Sequence, residues 1–248
     1  MKKIKDNPIK NYNELTKRQY ILGWILVPFY LGILRYLLIE PLMKCFVDEP
    51  HARYLSGPLK SIIILAIFLP LMKDNIRLFF NDFKTDGIKE NVKWIFKGLL
   101  YFFFIRFIYA LFFAVFKLLV KDALIGVINS EPQNEIFLNE LHELFPVLAL
   151  VFIVFVAPFL EELIFRYLVF HTFLKVNKYF AIIGSSVVFS LLHVREELSS
   201  GRVDVLIFYF ASYMTIALAL AILYEKKRNI FYCIFLHMIN NILSTYIL

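Results

Sequence analysis

Two carboxylates and an arginine stand within six residues of one another in an otherwise apolar run, Ala157-Pro158-Phe159-Leu160-Glu161-Glu162-Leu163-Ile164-Phe165-Arg166. A charge at membrane depth costs about 2.5–3.5 kcal/mol even on the lenient insertion scale. Something must offset three of them. Glu162 and Arg166 are four apart, on one face of a helix, and so placed form a structural ion pair. Glu161 lies about 100° further round the helix and lacks such a partner. Three more polar residues fall in apolar stretches: His193 closes Phe189-Ser190-Leu191-Leu192-His193, while His237 and Asn241 share one helix face. Together these types can hydrolyse a peptide bond. A carboxylate without a cation acts as general base toward water, and a nearby histidine shares the proton traffic. A second histidine and an amide across the cavity donate hydrogen bonds to an oxyanion. The plainer reading is a polar knot that holds helices together.

The elements that must position these groups are membrane helices. The chain has 248 residues, 60% of them hydrophobic, with 28 Phe and 14 Tyr, and its mean hydropathy is +0.69. A soluble domain of this size carries more polar surface. Apolar runs near twenty residues recur, the length that crosses a bilayer. The expectation is an all-α, polytopic transmembrane bundle of about seven spans: 19–40, 58–72, 95–119, 144–173, 179–193, 203–224 and 229–248. By 1.5 Å per residue, Glu161, His193 and His237 fall in one central layer. The net charge of +7 sits mostly in short loops, which points to topology and anionic lipid rather than nucleic acid. Lys and Arg are dense in the tail, the second loop and Lys226-Lys227-Arg228, so the N-terminus is expected in the cytoplasm. Residues 1–18 form a basic cytoplasmic tail, 19–143 the N-terminal helices and loops, and 144–248 a catalytic core. Arg35 snorkels or pairs. Ile76, Phe79, Phe80 and Phe83 mark an interfacial helix within the second loop. Residues 121–143 read as an acidic loop, and Arg195 to Arg202 as a polar one. Cys45 and Cys233 lie near different helix ends, with neither a disulfide nor a metal site expected of them.

The sequence Glu161-Glu162-x-x-x-Arg166, then Phe189-x-x-x-His193, then His237-x-x-x-Asn241 resembles the three motifs of the CPBP family. That family includes CAAX prenyl endopeptidases and bacteriocin-processing or bacteriocin-immunity proteins, also called Abi. The resemblance covers about 145–248. It implies an intramembrane endopeptidase in which Glu161 activates water with His193, His237 and Asn241 stabilise the oxyanion, and Glu162 and Arg166 hold the site. It implies a membrane-associated peptide or lipid-anchored protein as substrate: a bacteriocin leader, a peptide pheromone or a CAAX-like terminus. A bacterial inner or cytoplasmic membrane is the expected location.

Other readings stay open. Glu161, His193 and His237 could ligate zinc, although no His-Glu-x-x-His is present; the metal-free mechanism, without a cofactor, is preferred. A serine mechanism would use Ser185, Ser186 or Ser190, but small serines in membrane helices are usually packing residues. A non-catalytic immunity protein or scaffold would keep these residues as structural remnants. A transporter would also place charges in the membrane, but the paired broken segments of inverted repeats are missing.

Overall fold

The computed structural model describes residues 15–119 and 131–246, and within them every regular element is helical. Most of the basic tail, along with Asn129 and Ser130, lies outside the described residues. The ten helices are α1 (Lys17–Ile33), α2 (Arg35–Met43), α3 (Glu49–Leu71), α4 (Lys73–Leu119), α5 (Gln133–Leu144), α6 (Pro146–Leu174), α7 (Lys178–His193), α8 (Arg195–Ser199), α9 (Val203–Lys227) and α10 (Ile230–Tyr246). Four of them, α3, α4, α6 and α9, are long and apolar enough to cross a membrane, and α1 with α2 makes a fifth candidate bent by 52°. The two remaining apolar helices, α7 and α10, are shorter. The chain is an integral membrane helical bundle. Its expected count of seven spans rests on whether α7 and α10 also cross.

Local chemistry sets the boundaries. Thr16 and Gln19 form a capping box at the start of α1: the Gln19 amide donates to Thr16 Oγ1 and the Thr16 amide to Gln19 Oε1. Asp48 caps α3 by accepting from the His51 amide at 3.1 Å. The second span therefore begins at Glu49 rather than 58, because Asp48-Glu49-Pro50 starts a helix instead of ending a loop. Asn177 caps α7 in the same way, accepting from the Phe180 amide. Arg228 adopts φ 55° and ends α9.

Besides the short α8 within the stretch Arg195 to Arg202, read as a polar loop, two longer segments read as loops are helical. Residues 73–94 continue into the aromatic span as one run, α4, interrupted at Gly87, where φ is 75°. Phe79 is buried and Phe80 exposed, and Ile76 and Phe83 pack on the core, so this stretch lies on protein as well as at a surface. Within 121–143, the part from 133 forms α5, since Phe137, Leu138 and Leu141 cluster with Tyr54 and Ile153. In both, an apolar helix face found a core that charge counting did not reveal.

The main core joins α6, α7, α9 and α10 through residues such as Leu163, Phe165, Phe189, Leu220 and Leu236. Small residues permit the close approach expected of them. A Cβ on Gly184 would come within 2.7 Å of the Phe173 ring. Helix α4 lies outermost and turns Phe103, Phe104, Phe107 and Phe112 outward, as a lipid-facing helix does. Arg35 is buried and pairs: its Nε donates to Ser56 Oγ at 3.0 Å and stands 3.5 Å from Glu40 Oε2.

Candidate active site

Helix α6 carries the two glutamates between two stretches of widened, i→i+5 turns, Phe152–Val156 and Leu163–Val169. Such turns occur frequently at functional sites. Pro158 explains the first. A carbonyl bonded in this register at Ile153 would need the N–H of residue 158, and proline has none. Asn241, from α10, supplies the missing donor: its Nδ2 lies 2.9 Å from the Ile153 oxygen. Asn241 thus sits at the cavity wall with one N–H already engaged.

Glu162 and Arg166 are wholly buried, with Arg166 Nε 3.1 Å from Glu162 Oε2. The pair expected from their spacing exists, although its geometry is ionic rather than a well-directed hydrogen bond. Neither Nη of Arg166 has an acceptor among the described residues; the guanidinium instead faces the Phe189 ring at 5.5 Å. The other Glu162 oxygen, Oε1, accepts from His237 Nδ1 at 2.9 Å. This link adds a duty for Glu162 that the sequence did not reveal.

Glu161 is also partnered. Tyr30 Oη donates to its Oε1 over a long 3.4 Å. Its Oε2 lies 3.8 Å from His193 Nε2 and 3.8 Å from His237 Nε2. A phenol and two imidazoles thus surround the carboxylate that the helical spacing left without an i,i+4 partner.

The tautomers follow from the far side of each ring. His193 Nδ1 lies 2.8 Å from the Phe189 carbonyl, which only accepts, so that nitrogen carries the proton. His237 Nδ1 donates to the Glu162 carboxylate. In the neutral rings both Nε2 atoms therefore turn a lone pair toward Glu161 Oε2. Phe189 stacks on His193 at 4.2 Å and Tyr213 packs against it at 4.7 Å, which fixes the ring plane.

Tyr30, Glu161, His193, Tyr213, His237 and Asn241 line one cavity of about 180 Å³, together with Lys60, Arg35, Arg195 and Glu135. Helix α5 is latched over it. Glu197, fully buried in α8, accepts from the Gln133 amide at 2.6 Å, and Tyr213 donates to Glu135 at 3.0 Å. Sequence reasoning missed Tyr30, Lys60, Arg195 and Tyr213. Lysine inside the apolar run 58–72 was the available signal, because an intramembrane charge is a functional candidate by default. Ser185, Ser186 and Ser190 are buried and each donates to a carbonyl three or four residues earlier, the behaviour of packing residues.

The donor types suit zinc in one respect: both Nε2 atoms are held proton-free by a bond at Nδ1, as in ligated histidines. Yet among the described residues no group of three His, Cys, Asp or Glu is gathered to hold a metal ion.

A membrane helical bundle with a buried glutamate–arginine pair and a second glutamate facing two histidines is the class that fold and site define. Residues 143–243 match the family model described as type II CAAX prenyl endopeptidase Rce1-like, which bears out the resemblance carried by the three motifs over that part of the chain. A curated protein, UPF0177 protein YvdC of Lactococcus lactis subsp. lactis (strain IL1403), is 30% identical over 118 residues, 47% of this chain and 42% of that protein. The chain thus covers less than half the length of that relative. No solved structure matches.

Proposed function

We propose that the protein is an intramembrane endopeptidase that cleaves a membrane-associated peptide or lipid-anchored protein with a water activated by Glu161. One observation carries this reading: a single carboxylate oxygen, Glu161 Oε2, stands 3.8 Å from the Nε2 of both histidines. That spacing is too long for a direct hydrogen bond and matches a span that one water bridges. The water gives a proton to Glu161 as its oxygen bonds to the scissile carbonyl carbon. The carbonyl oxygen becomes the oxyanion. Collapse breaks the C–N bond, and the proton passes from Glu161, with His193 beside it, to the leaving amine. The products are a carboxylic acid and an amine, which leave as carboxylate and ammonium once the acid's proton passes to the amine.

His237 and Asn241 serve the oxyanion. With Nδ1–H committed to Glu162, His237 can donate to the oxyanion from Nε2 only as an imidazolium. Asn241 retains a second N–H beyond the one given to Ile153. Glu162 and Arg166 hold this arrangement. The metal-free mechanism is the preferred reading, with Glu161, His193 and His237 the ligands in the zinc alternative. The family description agrees with the CAAX-like, prenylated C-terminal peptide among the candidate substrates, beside a bacteriocin leader or peptide pheromone. The proposed location is a bacterial cytoplasmic membrane with the N-terminus inside. Incubating the purified protein in detergent with such peptides, and reading the cleavage position by mass spectrometry, tests the proposal. Cleavage by the wild type but not by a Glu161 variant supports it; intact peptides in both exclude it for those substrates.

A further inference from the structure

The residues 143–243 matched by the family model do not make up the whole site. Tyr30 comes from α1, more than a hundred residues earlier, and its hydroxyl reaches Glu161 Oε1. The backbone that carries it is unusual. Phe29–Ile33 has widened turns, and Gly32 takes φ 148°, a conformation that strains any side-chain-bearing residue. Beside this break, two cations from other elements bond to the backbone carbonyls of Tyr30 and Leu31. Lys60 Nζ in α3 donates to the Tyr30 oxygen at 2.8 Å, and Arg195 Nη1 in α8 donates to the Leu31 oxygen at 2.9 Å. The Lys60 ammonium also stands 4.6 Å from the Tyr30 ring centroid. Three separate contacts thus hold one phenol against one carboxylate.

We propose that Tyr30 is a positioning residue for Glu161, and that it makes the two carboxylate oxygens unequal. Oε1 is occupied by the phenol, so Oε2 is the basic oxygen, and its free lone pairs face the two Nε2 atoms. The inference rests on the peptidase reading for its kinetic consequence but not for the contact itself. Without the phenol the carboxylate can rotate about its terminal torsion, which is broad for glutamate, and spends less time with a lone pair directed at the water. The 3.4 Å contact is long, and hydrogen bonds at catalytic groups commonly tighten on substrate binding.

Tyr30→Phe keeps the ring, its packing and the Lys60 bond to the carbonyl, and removes only the hydroxyl. The variant is compared with wild type in two measurements. In peptide cleavage, kcat is expected to fall about ten- to a hundredfold, with KM and melting temperature unchanged. In the second, a hydrophobic carbodiimide labels Glu161, read by mass spectrometry. Labelling is expected several-fold faster in the variant, since Oε1 is freed. A kcat within about twofold of wild type, a change confined to KM, or an unchanged labelling rate each overturns the proposal. If the wild type cleaves no peptide, the peptidase reading fails for those substrates, and the labelling rates alone decide whether Tyr30 holds Glu161.

Discussion

Asn241 donates to the Ile153 carbonyl, 88 residues earlier in the chain, across 2.9 Å, and Pro158 is the reason that carbonyl is free to accept. The bond ties α10 to the turn of α6 just before Glu161. Asn241 therefore has a structural duty beside its proposed catalytic one, and the two separate by experiment. Asn241→Ala should cost about 1–3 kcal/mol for the unpaired carbonyl and about a hundred- to thousandfold in rate for the lost oxyanion donor. In a Pro158→Ala background, where residue 158 regains an N–H, the stability cost of Asn241→Ala should shrink while its rate cost persists. Chemical denaturation and kinetics on the four proteins of this cycle measure both. Strict additivity of the stability changes would mean that Pro158 does not create the need for Asn241.

The Glu162–Arg166 pair makes the opposite kind of prediction, loss of fold before loss of chemistry. Both side chains are wholly buried, so removing one leaves the other charge uncompensated, at about 3–5 kcal/mol. Arg166→Ala should lower the yield of folded protein and its melting temperature. A variant that accumulates at wild-type level, melts normally and yet is inactive would assign Arg166 a direct chemical role.

Zinc is decided by chelation. In the mechanism proposed here, a chelator leaves the purified enzyme's turnover unchanged, and elemental analysis finds substoichiometric zinc in active protein. Activity lost on chelation and regained with added zinc would turn Glu161, His193 and His237 into ligands around a metal-activated water.

Topology follows from whether the short helices α7 and α10 cross. The proposal of seven spans puts the N-terminus and Lys226-Lys227-Arg228 on the cytoplasmic side. Reporter fusions or cysteine accessibility in the loops read this directly. An outward-facing Lys226-Lys227-Arg228 segment would contradict it.

The chemistry-bearing residues were legible because each is an anomaly in its surroundings. A carboxylate, an imidazole or an amide in an apolar helix stands out, and helical spacing then pairs Glu162 with Arg166 and places His237 above Asn241. Tyr30 and Tyr213 carry no such mark, since tyrosine is at home in a membrane helix and nothing local tells which face turns inward. Gly32, whose φ of 148° redirects the chain at Tyr30, looks like any helix glycine. Helix α5 was hidden because its glutamates dominate the composition, while Phe137, Leu138 and Leu141 bury only against partners distant in sequence. The start of α3 was misplaced for a simpler reason: Asp48 and Pro50 end loops and begin helices with equal chemical ease.

The central claim is that Glu161 is the base that activates water, and Glu161→Gln tests it most directly. Glutamine keeps the shape of the side chain and can still accept from Tyr30, but it cannot take the proton of the attacking water. Turnover of a cleaved peptide by the purified variant, measured beside its melting temperature and its affinity for that peptide, is the measurement. The account predicts a fall in kcat of at least about a hundredfold, with fold and peptide affinity retained. Turnover near the wild-type rate in a properly folded Glu161→Gln protein would contradict it.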